Sequence, residues 1–199
     1  MAIPNILTSI HGRVLGLTGR GRLVVGRESA GNRGVAPLVV YTNEAASTAI
    51  SNTTTETLFS TQYSVPKNSL SAGQLIKIRY QGIATATNST DTLAIKLYIG
   101  GTSGTLLLSH TATDVADNNV FQGEYELIIR TIGASGTMVG CGTAKSVPAA
   151  EGTATYKDDI LASTTIDTTA AQVIGVSATW SVASASNSVR LDFLRIEMA

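Results

Sequence analysis

Few residues in this chain are equipped for chemistry near neutral pH. Two histidines, His11 and His110, and one cysteine, Cys141, make up the whole stock of side chains that titrate or attack readily there. Nucleophilic catalysis needs such a group held against a base, and the base against an orienting partner. No spacing gathers a serine, a histidine and a carboxylate, and His110 and Cys141 share no local motif. Each histidine therefore reads as a residue without a catalytic role. Cys141 reads as a small buried apolar residue, with no second cysteine to form an intramolecular disulfide. Asp114, Asp117, Asn118 and Asn119 offer oxygens of the kind Ca²⁺ takes. They lack the ligand spacing and closing glutamate of a calcium loop, so they read as a solvated turn, as does Asp158-Asp159. The run from Gly100 to Thr105 has no lysine and reads as a turn rather than a phosphate cradle. No His/Cys cluster has zinc spacing, and no segment argues for a glycosidase carboxylate pair. The expectation is a protein with no catalytic residues, no metal and no cofactor.

Recognition chemistry is better represented. Residues 1–34 carry five arginines (13, 20, 22, 27 and 33) against the single Glu28, a net +4. The remaining residues hold nine basic and thirteen acidic side chains, a net −4, so the formal neutrality of the chain conceals a basic start on an acidic body. The apolar bursts of this start are short and widely spaced. They suit an extended arm that rests on another surface rather than a segment with its own core. Its candidate binding residues are Ile6, Leu7, His11, Arg13, Leu15, Arg20, Arg22, Leu23, Val25, Arg27 and Arg33. Guanidinium forks grip carboxylates and phosphates alike. The arm has no aromatic residue to stack on bases. The carboxylates of a neighbouring protein are the expected partner, nucleic acid is not, and contact with packaged DNA is the next alternative.

Behind the arm stands a body patterned for strands. The chain has 199 residues, 43% hydrophobic and only 14% charged, with 27 Thr, 19 Ser and 19 Gly. Threonine favours strands, and serine and glycine favour turns. Residues 35–41 read as a short strand with Pro37 at an edge, and 42–55 as a linker. From Glu56 the alternation is regular. Phe59 and Thr61 oppose Leu58 and Ser60. Ile76, Ile78 and Tyr80 oppose Lys77 and Arg79, and Leu93, Ile95, Leu97 and Ile99 oppose Lys96 and Tyr98. Later strands are expected at 105–108, 120–132, 137–147, 153–156, 163–169, 172–182 and 187–198. A bulge near Leu194 would explain why the last strand changes face. Phe59, Ile78, Tyr80, Leu97, Phe121, Leu127, Trp180 and Phe193 are the predicted core. The fold class is all-β, a single jelly-roll sandwich of about eight antiparallel strands with an extended N-terminal arm. The division is arm 1–34, short strand and linker 35–55, and jelly roll 56–199.

The run TLFS…VPKNSLSAGQLIKIRYQG…TLAIKLYIGGT resembles the jelly-roll modules of tailed-bacteriophage virion proteins. Pro66, Asn68, Leu70, Gly73, Lys96, Leu97, Gly100 and Gly101 fall on the positions of that pattern, while Gln74 stands where an acidic residue is usual. Asn187-Ser188-Val189-Arg190 and Glu197 extend the likeness to the C-terminus. PNILTSIHGR…LGL…GRLV is similar to the starts of small phage structural proteins. The resemblance implies a non-enzymatic capsid decoration, or cement, protein. It would bind the major capsid protein through its arm on the outside of the phage head, commonly as a homotrimer, after synthesis in the host cytoplasm. The alternative is a tail-fibre or head-fibre module that binds host surface glycans, for which an exposed aromatic platform is expected. Nothing near the start reads as a signal peptide, no stretch approaches the ~20 apolar residues of a membrane span, and no membrane partner is expected.

Overall fold

The computed structural model describes residues 38–86, 90–111, 115, 118–147 and 154–199 in full, and the backbone of 8–10, 13–17, 23–27 and Ala112. The chain divides into two compact units, Met1–Leu38 together with Ala199, and Val39–Met198. In the first, the stretch read as an extended arm pairs its own backbone. Strands β1 (Thr8–Ile10), β2 (Arg13–Leu17) and β3 (Leu23–Arg27) form an antiparallel meander. Its register sets Leu15 opposite Val25, Leu17 opposite Leu23 and Arg13 opposite Arg27. Ile6, Leu7, His11, Arg20, Arg22 and Arg33 lie outside the described residues.

The second unit holds β4 (Leu38–Thr42), β5 (Ile50–Ser51), β6 (Thr57–Val65), β7 (Leu75–Thr85), β8 (Leu93–Ile99), β9 (Thr105–Ala112) and β10 (Asn119–Thr131). These are followed by β11 (Gly136–Val147), β12 (Thr155–Ile166), β13 (Gln172–Trp180) and β14 (Ser188–Met198). One sheet runs β12-β11-β10-β7-β14-β4, with β5 also on β14, and the other runs β6-β13-β8-β9. Remove the β11–β12 hairpin and each sheet has four strand positions, with the chain passing between sheets in jelly-roll order. These eight positions match the roll of about eight strands expected, and the hairpin adds two strands to the large sheet, whose seven count β4 and β5 separately.

Between the sheets lies one core. Phe59, Ile78, Leu97, Leu127 and Ile174 are fully buried, with Tyr80, Phe121 and Trp180 close to it. Phe59 and Phe121 stack across the sandwich with centroids 6.3 Å apart, and the Trp180 indole N–H points at the Ile50 carbonyl, 3.5 Å away. Aromatic rings on the inner face of the large sheet lie over glycines of the next strand. A methyl group at Gly82 would strike the Phe121 ring, one at Gly123 the Tyr80 ring, and one at Gly140 or Gly142 the Tyr125 ring. This is why β11 is rich in small residues.

The turns follow the sequence. Asn68 adopts φ +57° and Gly73 φ +82°. The Gly73 amide donates to the Ile129 carbonyl at 2.7 Å, which fixes the Pro66–Gly73 segment to β10. A bulge does interrupt β14, between Leu191 and Phe193. It sends Leu194 and Ile196 into the core with Val189 and Leu191. Phe193, read as core, is turned to the outer face and is only half-buried. Residues read as linker complete this bulge. Asn43 donates from its side chain to the Asp192 carbonyl at 2.8 Å and accepts from the Leu194 amide at 2.6 Å. The Ser47 hydroxyl accepts from the Leu191 amide at 2.9 Å. β4 and β5 are thus two pieces of one edge strand, and the gap between them supplies side-chain partners for the irregular part of β14.

The largest departure from the expected layout is β12. Two short strands, at 153–156 and 163–169, are a single strand of twelve residues. Lys157-Asp158-Asp159 reads as a turn because neither face is apolar. A strand at the rim of a sheet, exposed on both faces, tolerates such a run.

Candidate functional site

The outer face of the large sheet is uncovered by any other described residue of the second unit, and the strand registers arrange it in rows. One row runs Glu197, Lys77, Glu126, Cys141, Ile160, from β14 to β12. The next runs Arg195, Arg79, Glu124, Thr143, Asp158, and the third Phe193, Gln81, Gln122, Lys145, Tyr156. In the first two rows charges neutralise one another. Lys77 pairs with Glu126 at 2.7 Å, Arg79 with Glu124 at 3.4 Å and Arg195 with Glu197 at 2.5 Å. These are exposed pairs, worth about 0–1 kcal/mol each. In the third row two uncharged amides and the Lys145 ammonium stand between two aromatic rings. Its ends are four strand spacings apart, roughly 19 Å.

Shallow depressions follow the rows. One of about 180 Å³ lies beside Phe193, Gln81 and Gln122, and one of about 210 Å³ beside Gln122, Lys145 and Tyr156. A third, of about 380 Å³, is lined by Ile128, Val139, Gly140, Cys141, Ile160 and Leu161, with Glu126 at its rim.

Cys141, read as buried, is exposed on this face. The register that opposes it to Glu126 and Ile160 decides this. His110 faces the other way. It lies opposite Ile95 on the inner face of β9, it is buried, and its Nε2 has no partner among the described residues. A Cys141–His110 couple is therefore ruled out by a sheet standing between them. Asn119 points inward and accepts from the Ser146 hydroxyl at 3.4 Å. Asn118 is exposed in a turn at φ +57°. Asp114 and Asp117, like His11, lie outside the described residues. Among the described residues no group of three or more His, Cys, Asp or Glu is placed to hold a metal ion, and no helix is long and apolar enough to cross a membrane.

One polar cluster escaped the sequence reading. On the outer face of the small sheet the Glu56 carboxylate accepts from the Lys96 ammonium at 2.9 Å and from the Ser177 hydroxyl at 2.7 Å. Burial by itself would raise the Glu56 pKa. Hydrogen bonds from Ser177, Lys96 and Tyr98 outweigh it and hold the carboxyl below its ordinary value. A carboxylate held ionised in this way is a poor proton acceptor. The cluster ties the start of β6 to β13 and β8. Only the spacing of strands in space, which no local motif encodes, brings Glu56 and Ser177 together.

No family model matches the chain, and no curated protein is similar to it. Among solved structures, the lectin UEA-II complexed with galactose aligns at 9% identity over 94% of this chain and 90% of its own, with a TM-score of 0.35. Infectious bursal disease virus, Gx strain, aligns at 12% identity and a TM-score of 0.38. That match covers 98% of this chain but only 37% of the viral one. The CBM2 module of the evolved Dit of Lactobacillus casei BL23 phage J-1 aligns at 12% identity over 85% of this chain and 80% of its own, with a TM-score of 0.33. The strand order described above, and not these distant likenesses, defines the fold of this chain.

Proposed function

We propose that this chain is a non-enzymatic structural protein of a bacteriophage particle, a decoration protein that grips the outer surface of the head through its N-terminal unit. The observation that carries this reading is the register of the small N-terminal sheet. Alternate positions of a strand share a face. At alternate positions the register pairs Leu17 with Leu23, Leu15 with Val25 and Arg13 with Arg27. Three strands of three to five residues are at the lower limit of independent stability. The stretch 1–34 is also basic, with five arginines against one glutamate. Both features favour a partner that is apolar in part and acidic in part, as the surface of a capsid protein can be. The acidic jelly roll would remain outside as the bulk of the cement, its fold completed by its own core.

The test is binding to undecorated heads. The full chain is expected to co-sediment with them, and residues 39–199 to stay in solution while keeping an all-β circular dichroism spectrum. Arg13→Gln with Arg27→Gln is expected to weaken binding and flatten its salt dependence. Undiminished binding by the truncated roll would overturn the reading.

A glycan-binding role is the second reading, and it rests on the third row of the outer face. The aromatic platform expected for it is not at Trp180, which is buried. Tyr156, however, is 73% exposed, and Lys145, Gln122 and Gln81 lie between it and Phe193. Aromatic plates with amide and ammonium donors between them suit a polyhydroxylated ligand. Screening the full chain and Tyr156→Ala on immobilised host polysaccharide checks it: retention unaffected by the substitution would exclude this row.

A further inference from the structure

Strand β12 is the rim of the large sheet, paired on one side with β11 and on the other with nothing among the described residues. It contains no proline and no glycine. Its twelve residues give it a backbone edge on the order of 40 Å long without a second ladder; β12 also lies near β9 of the other sheet, and Thr155–Asp158 are exposed. The two most exposed large apolar side chains of the second unit both stand on it, Ile160 at 82% and Tyr156 at 73%. Proteins usually blunt such an edge. Here the segment Tyr156-Lys157-Asp158-Asp159-Ile160 is complementary to itself when reversed.

We propose that β12 pairs antiparallel with β12 of a second copy about a two-fold axis at Asp158, joining two large sheets into one. In that register Tyr156 stands opposite the partner's Ile160, and Lys157 opposite the partner's Asp159, each pair occurring twice. Neighbouring registers that keep the same faces aligned do worse. An axis at Lys157 sets lysine against lysine, and an axis at Asp159 sets Asp158 against isoleucine. A slip by one residue turns the outer face of one copy to the inner face of the other. The Asp158 register alone matches charge with opposite charge and apolar with apolar. Its one unfavourable contact is Asp158 against the partner's Asp158. That contact keeps the dimer weak in free solution, and crowding of copies on a surface then favours it. The pairing is independent of the N-terminal unit and so of the attachment reading: either can fail alone.

Charge exchange tests it. The full-length chain is examined by sedimentation equilibrium, with thermal melts confirming that every variant folds. Lys157→Asp and Asp159→Lys, each alone, face like charges twice and are expected to weaken the dimer about tenfold or more. Mixed together, the two variants restore both opposite-charge pairs and are expected to form a heterodimer at least as tight as the wild-type homodimer. Asp158→Asn is expected to tighten the homodimer, and Ile160→Lys to weaken it. Amide hydrogens of 155–161 are expected to gain protection from exchange as concentration rises. A chain that stays monomeric at every concentration overturns the proposal. So does a dimer or trimer whose mass is indifferent to these substitutions, or a variant mixture no tighter than either variant alone.

Discussion

Single side chains carry much of the specificity of this core. Phe121 over Gly82 is a matched pair in which the ring occupies the space a methyl group would need. The carbonyl oxygen of Arg190 closes the same space from β14 and cannot rotate away. Gly82→Ala is therefore expected to destabilise the roll by about 1–3 kcal/mol, measurable as a lower urea midpoint at unchanged slope. An unchanged midpoint would mean that β7 and β14 separate more easily than their ladder implies. Two titrating groups set the response to acid in separate windows. Burial lowers the His110 pKa below its usual 6.5. As pH falls through 6.5 the unfolded chain takes up the proton first, so stability drops from there downward. Glu56 is held below its usual 4.5, and its contribution is lost only in more acidic solution. His110→Leu is expected to flatten the decline that begins near pH 6.5 while leaving the steeper fall in more acidic solution. Parallel curves for the two proteins would assign that decline to other groups.

At the level of elements, the bulge in β14 and the broken edge strand form one device. Asn43 satisfies backbone groups at Asp192 and Leu194 that the bulge removes from the regular ladder. Asn43→Ala is expected to cost about 1–3 kcal/mol, more than a surface asparagine normally would, and denaturant melts of the variant check the figure. Strands with one apolar face were readable from their alternation: β6, β7, β8, β10 and β14 lie within a few residues of the expected spans, and even the change of face in β14 announced its bulge. What stayed hidden was of another kind. β12 has polar residues on both faces, so it carried no period to detect. The Asn43 and Ser47 contacts join positions 151 and 144 residues apart. Cys141 was misjudged because only the register with β10 decides which way an unpatterned strand of small residues turns. The candidate surface was the least legible part, since a row of side chains across five strands is contiguous in space and scattered in sequence.

For the molecule as a whole, strand order governs both assembly and failure. Strand β14 sits inside the large sheet between β7 and β4, so the sandwich cannot close until β14 is available. Such non-local pairing makes folding slow compared with helical proteins of similar size. The N-terminal unit leads directly into β4, a five-residue strand at the rim. Any pull between that unit and the roll enters the roll through this strand. β4 has no fully buried residue, so it can peel from β14 before Ile50, which belongs to the core, is disturbed. Once Asn43 and Ser47 let go, the segment up to Ala49 pays out, a length of roughly 40 Å, while Ile50 stays in the core. Pulling a single molecule from its N-terminus against its C-terminus should give an early step of about that length, well before the sandwich ruptures. Only one large rupture would mean that the rim strand holds as firmly as the core. An early step would make β4 a slack tether, able to absorb a shock to the particle and then zip back with the roll intact.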